Sequence, residues 1–130
     1  MTIIPYERRS MQLYWLSDTI GVSDQICPED VSELSSLGVK SIICNRPDRE
    51  SESDQPDAES IRQASKKLGI EFVFHPVESN FQTEYDASQM AKHLCKLPKP
   101  IIAYCRSGGR STALIGLAEQ LQFINLQELE

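Results

Sequence analysis

Apolar residues in this chain recur in two rhythms, short runs and helically spaced sets, and the breaks between them fall at glycines, prolines and polar clusters. Met11 to Leu16, rich in Leu, Tyr and Trp, reads as a strand, and Thr19 to Ser23 as a second short one. Pro28 opens a helix with Val31, Leu34 and Leu37 on one face, and Gly38 stops it. Val39 to Cys44 then reads as a central strand buried on both faces, as in a parallel sheet. Asn45 to Pro56 is polar and acidic with two prolines, which predicts a surface loop. A helix from about Asp57 ends at Leu68 before Gly69, and Ile70 to Val77 supplies the next strand. After the loop Glu78 to Gln82, Thr83 is placed to cap a helix carrying Met90, Leu94 and Leu97, which Pro98 and Pro100 terminate. Ile101 to Tyr104 is a short buried strand, Cys105 to Gly109 a loop, and Arg110 to Leu121 a helix with Leu114, Leu117, Ala118 and Leu121 in register. Beyond Phe123 the pattern is ambiguous.

Strands alternating with helices imply an α/β fold, since each parallel return of a strand needs a crossover. The expectation is a mainly parallel central sheet flanked by helices. Ligands in such sheets bind at the C-terminal ends of the strands. The Asn45, Glu78 and Cys105 loops all fall at that edge. A length of 130 residues supports one domain, residues 1–130, with its core over about residues 12–121.

The apolar fraction of 40% and charged fraction of 25% fit a soluble globular chain. A formal net charge of −6 argues against general affinity for nucleic acid or anionic membrane, both of which need Lys and Arg against phosphates. Any bound anion must therefore meet a local positive site. No apolar run of about 18 residues occurs, and Met1 to Ser10 lacks the features of a secretory signal, so a cytoplasmic location is expected. Cys27, Cys44, Cys95 and Cys105 form no Cys-x-x-Cys pair and no zinc-like spacing with His75 or His93. Neither metal nor cofactor is expected, and Cys27, Cys44 and Cys95 read as buried small apolar residues.

Cys105 stands apart because it leaves a buried strand and enters Arg106-Ser107-Gly108-Gly109 just before a helix that opens with Arg110-Ser111. Adjacent glycines allow successive N–H groups to turn inward around an anion. The helix N-terminus adds partial positive charge and favours the thiolate, the nucleophilic form of cysteine. Arg110 can hold two oxygens of a tetrahedral oxyanion with its planar fork, which a lysine would do only as a point charge. Ser111 can donate toward the thiolate or a leaving group. Cys105, Arg110 and Ser111 are thus the candidate catalytic residues, and Arg106, Ser107, Gly108 and Gly109 the candidate substrate-binding loop.

Ala103-Tyr104-Cys105-Arg106-Ser107-Gly108, Arg110-Ser111, Gln25, the strand-end segment Asn45-Arg46-Pro47-Asp48 and His75-Pro76-Val77 together resemble the DUF442 family, the phosphatase-like domain of beta-lactamase-hydrolase-like proteins. Through it the chain resembles dual-specificity protein phosphatases over about residues 12–121. The resemblance implies a phosphatase-like fold with Cys105 as nucleophile and Arg110 as the phosphate-binding arginine. Two departures stand out. Four residues separate Cys105 from Arg110 where those phosphatases have five, a length similar to rhodanese-type sulfurtransferases, and Tyr104 stands where histidine usually precedes the cysteine. The loop after the preceding strand carries Glu78 and Ser79 instead of an aspartic acid, so Glu78 or the more distant Asp86 must serve as acid, unless both are simply solvated carboxylates. Arg46 and Asp48 either extend the anion site, pair with each other or fix their loop.

The leading expectation is a cysteine-dependent phosphatase-like hydrolase of phosphate monoesters acting through a thiophosphoryl-cysteine intermediate. The alternative is a rhodanese-like sulfurtransferase carrying a persulfide on Cys105, and the third reading is a non-catalytic anion- or partner-binding module. The expected partner is a small oxyanion, a phosphorylated substrate or a sulfane-sulfur donor.

Overall fold

A computed structural model of the chain describes residues 11–51 and 55–129. Its elements in chain order are β1 (Leu13–Trp15), β2 (Ile20–Ser23), α1 (Asp30–Ser36), β3 (Ser41–Cys44), α2 (Ala58–Lys67), β4 (Glu71–Phe74), α3 (Glu84–Lys96), β5 (Ile101–Tyr104) and α4 (Gly109–Gln120), followed by a 3-10 turn at Leu126–Glu128. The sheet order is β1-β2-β5-β3-β4, with β1 antiparallel to β2 and every other pairing parallel. This is the expected α/β architecture. Residues 52–54 of the Asn45–Pro56 loop lie outside the described residues, as do residues 1–10.

Alternation along the strands explains the layering. Because successive side chains point to opposite faces, Ile43 and Ala103 join Ile20 and Val22 in one apolar cluster with Met90, Leu94, Leu114 and Ile115 of α3 and α4. Ile42, Cys44, Ile102 and Tyr104 join a second cluster on the other face with Val31, Leu34, Ala58 and Ile61 of α1 and α2. Full burial of β2, β3 and β5 on both faces is why these short strands are apolar nearly throughout. Gly21 is required by crowding: a Cβ there would stand 2.8 Å from Ile102 Cδ1 and 3.0 Å from Trp15 Cε3.

Four of the five strands, β1 to β4, are shorter than the sequence suggests. β3 begins at Ser41 because Lys40 stays exposed outside it. β4 ends at Phe74, where the chain bends off the sheet through His75-Pro76-Val77. The bend keeps its polar backbone satisfied, with His75 N–H donating to Cys44 O at 2.8 Å and Val77 N–H to Asn45 O at 3.1 Å. No helix among the described residues is long and apolar enough to cross a membrane.

Candidate active site

Ser23, Tyr104, Cys44 and Phe74 pair side by side as the last residues of the four parallel strands. Cys105 comes one residue beyond that row, 1% exposed, with its N–H donating to Ser23 O at 3.3 Å. The loop then turns back, so that Gly108 N–H donates to Cys105 Sγ at 3.1 Å. The turn requires φ of 94° at Gly108, a left-handed conformation that glycine alone adopts without strain. Gly108 is buried against Ser23, whereas Arg106, Ser107 and Gly109 are exposed. Gly109 N–H donates to Ser107 Oγ at 3.3 Å and the Thr112 hydroxyl donates to Gly108 O at 2.8 Å, fixing the first turn of α4 at the loop. The positive end of that helix accordingly faces the Cys105 loop.

Arg110 is buried, its side chain 5% exposed. Its Nη1 donates to the backbone oxygens of Val77 at 3.2 Å and Asn45 at 3.4 Å, and its Nη2 to Glu50 Oε1 at 2.9 Å. Nε is a buried donor with no hydrogen-bond partner among the described residues. A buried N–H without a partner costs about 1–3 kcal/mol.

The same Glu50 oxygen accepts from Arg46 Nε at 3.0 Å. Arg46, likewise 5% exposed in its side chain, also donates to Gln25 Oε1 at 2.9 Å and Ser51 Oγ at 2.7 Å. Arg46 therefore pairs with Glu50 and not with Asp48. Asp48 Oδ1 instead accepts the Ala58 N–H at 2.8 Å and closes the start of α2, so its role is to fix the loop. The Arg110 guanidinium first, and Arg46 after it, hold the Glu50 carboxyl below the usual carboxylate range, against the opposing effect of its own partial burial. Two guanidiniums thus share one carboxylate oxygen.

Ser111 was expected to donate toward the thiolate or a leaving group. Its single hydroxyl proton goes instead to Asn45 Oδ1 at 2.9 Å, and Asn45 Nδ2 donates to His75 O at 2.9 Å. Asn45, fully buried, thus ties α4 to the ends of β3 and β4, while its carbonyl holds Arg110. Glu78 is exposed on the loop that begins at Val77, directly beside the Arg110 contact. Asp86 serves the capping box of α3: its Oδ2 accepts Thr83 N–H at 3.0 Å, and Thr83 Oγ1 accepts Asp86 N–H at 3.0 Å. His93 is half-buried, with its ring centroid 5.2 Å from that of His75.

Tyr104 and Cys44 lie in the cluster beneath α1 and α2, where burial raises the pKa of both above their usual ranges. Of the three cysteines expected to be buried, only Cys44 is; Cys27 is half-buried and Cys95 exposed, because each sits outside the sheet. The sequence alone does not single out Glu50 or Asn45. Glu50 is one of four acidic residues in its loop, with Asp48, Glu52 and Asp54, and no periodicity ranks them. A partial signal was available in Arg46, since a buried arginine at a strand end needs a counter-ion.

A mostly parallel sheet with a cysteine loop between its central strand and a helix defines the cysteine-based phosphatase fold. The core catalytic domain of the PP-IP phosphatase SIW14 from S. cerevisiae shares it, with a TM-score of 0.65 at 20% identity, over 87% of this chain and 67% of that one. The chain belongs to the family described as beta-lactamase hydrolase-like protein, phosphatase-like domain, which it matches over residues 12–122. A Neisseria meningitidis protein provisionally assigned as a phosphatase is 33% identical, with a TM-score of 0.78 over 86% of this chain and 79% of that one. The beta-lactamase hydrolase-like protein of Agrobacterium fabrum is 31% identical over 111 residues, 85% of this chain. The chain spans only 26% of that relative's length.

Proposed function

We propose that this chain is a cysteine-dependent hydrolase of phosphate monoesters. Cys105 Sγ attacks phosphorus, forming an S–P bond as the bond to the departing alcohol or phenol oxygen breaks. Glu78 donates the proton that this oxygen takes, since the carboxylate of Asp86 is occupied in the α3 cap. Water then attacks phosphorus, the S–P bond breaks, and inorganic phosphate leaves with the Cys105 thiolate restored. Backbone amides of Arg106 to Gly109, the N-terminus of α4 and Arg110 stabilise the equatorial oxygens. Ser111 acts through Asn45 to keep α4 in register with the strand ends.

One observation carries the reading: the arginine of the Cys105 loop is buried with Nε–H unpartnered among the described residues, while the loop amide of Gly108 points at the sulfur. A site built this way suits an oxyanion on the nucleophile. The four-residue spacing between Cys105 and Arg110 favours a second reading, in which Cys105 takes sulfane sulfur from thiosulfate as a persulfide and releases sulfite. The relatives and structures named above lend that reading no support.

The test is hydrolysis of 4-nitrophenyl phosphate beside thiosulfate with cyanide, for wild type and Cys105→Ser. The expected result is phosphate release that the substitution abolishes. Thiocyanate formation without phosphate release would transfer the assignment to sulfur transfer. Inactivity on both would leave a non-catalytic oxyanion-binding module.

A further inference from the structure

A guanidinium that must present its fork to a substrate has to be held from behind, because a long side chain otherwise spends most of its time in other rotamers. Arg110 is held by two kinds of contact. The carbonyls of Val77 and Asn45 take Nη1, and the Glu50 carboxylate takes Nη2. The carbonyls lie just past the ends of β3 and β4, where Val77 N–H donates to Asn45 O and Asn45 N–H to Tyr104 O. Glu50 sits on a loop and needs its own support, which comes from Arg46.

Arg46 supplies that support through all three of its nitrogens. Nε donates to Glu50 Oε1, Nη1 to Gln25 Oε1 and Nη2 to Ser51 Oγ. No nitrogen of Arg46 is left without a partner, in contrast to Nε of Arg110. Gln25 in turn donates its backbone N–H to Arg106 O at 3.2 Å, inside the Cys105 loop itself. The chain of contacts Gln25, Arg46, Glu50, Arg110 therefore runs from a residue that meets the Cys105 loop at Arg106 to the helix that follows that loop, and it joins the segments following β2, β3 and β5.

We propose that Glu50 and Arg46 are positioning residues that form a charge-balanced brace for Arg110, Arg46 holding Glu50 and Glu50 aiming the guanidinium. Arg46 does not bind substrate in this scheme, although its place at the strand end invites that reading. Glu50 is not the general acid, since it is committed to two arginines through one oxygen. The inference rests on the oxyanion reading of the Cys105 loop but not on which reaction follows.

The experiment compares wild type with Glu50→Gln, Glu50→Asp, Arg46→Gln and the Glu50→Gln/Arg46→Gln double variant, each checked by its melting temperature. Two quantities are read: turnover of 4-nitrophenyl phosphate, and protection of Cys105 from iodoacetamide by inorganic phosphate. Glu50→Gln should lower kcat about tenfold or more and weaken phosphate protection, as expected when a clamp loses its orientation. Glu50→Asp, which keeps the charge, should recover part of both losses, and carries the test alone if Glu50→Gln melts below the assay temperature. Arg46→Gln should move both readings in the same direction. The double variant should lose less than the product of the single losses, because the two residues act through one contact.

A rise in kcat/KM with tighter phosphate binding in Glu50→Gln would overturn the proposal, since Glu50 would then be competing with substrate for Arg110. So would unchanged readings in a folded variant, or a failure of phosphate to protect Cys105 in the wild type. If the wild type hydrolyses nothing yet phosphate protects Cys105, and the variants weaken that protection as described, the brace stands and the hydrolase assignment falls.

Discussion

At the scale of single residues, Arg110 separates charge from geometry. Arg110→Lys keeps a cation at the loop but removes the planar fork and the donors that meet Val77, Asn45 and Glu50. Turnover of a phosphate ester should fall by roughly 10²-fold or more, the cost of losing one preorganised oxyanion donor. Steady-state kinetics on a variant with a normal circular-dichroism melt checks this, and near-full turnover would remove Arg110 from the mechanism. Glu78 is tested by leaving group. Glu78→Gln should cost roughly 10²-fold on an alkyl phosphate, whose departing alkoxide needs a proton, and far less on 4-nitrophenyl phosphate. Equal losses on both esters would refute Glu78 as the acid.

Elements carry the next level of the argument, and α3 offers a clean test. Its capping box, Thr83 with Asp86, satisfies two backbone N–H groups at the helix start. Thr83→Ala should cost about 1 kcal/mol, a fall in melting temperature of about 4 °C for a chain of this size. This cap was legible in the sequence, as was every helix and strand that periodicity, a terminating glycine or a proline marks. Thr83, Gly38, Gly69 and the Cys105 loop all lie where the pattern put them. What could not be read was contact between loops. Nothing in the spacing of Gln25, Arg46, Glu50 and Arg110 announces that they meet, because loop conformation depends on the whole sheet edge beneath it. The same limit explains Ser111, whose position was read correctly while its partner, Asn45, was not. The end of β4 was overrun for a different reason: Ile70 to Val77 looks extended throughout, and only the pairing of His75 and Val77 N–H groups with the chain after Cys44 shows where the sheet stops.

For the whole molecule, a formal charge of −6 surrounds a site that holds two buried arginines, so affinity for an anion must come from the loop and not from the overall field. pH acts through the two histidines that join β4's end to α3. Burial, then the neighbouring positive charge of His93, lowers the pKa of His75, against the pull of Asp86; burial and Lys96 do the same to His93. The unfolded chain takes up protons near the ordinary value of 6.5 that the folded chain refuses. Stability from this source is therefore complete above 6.5 and is lost as the pH falls through 6.5 toward the lowered folded values. Melting temperatures taken between about pH 8 and about pH 5.5 should drop on the acid side, and His93→Gln should flatten that drop. A wild-type curve already flat across this range would contradict the argument.

The strand order has a consequence for how the chain comes into being. β5, the central strand, is the last of the five to be synthesised, and it fits between β2 and β3, which end at Ser23 and Cys44, far before it in sequence. Until Ile101–Tyr104 has left the ribosome, β2 and β3 each have an apolar edge with no neighbour, and such edges pair readily with other chains. Insertion of β5 closes both edges in one event and, with the residues that follow it directly, delivers Cys105 and Arg110 to the loops already waiting at the end of the sheet. Vectorial synthesis therefore leaves this domain without its candidate site, and its strand edges open to aggregation, until β5 and the loop after it are made, and then supplies the sheet and Cys105 together.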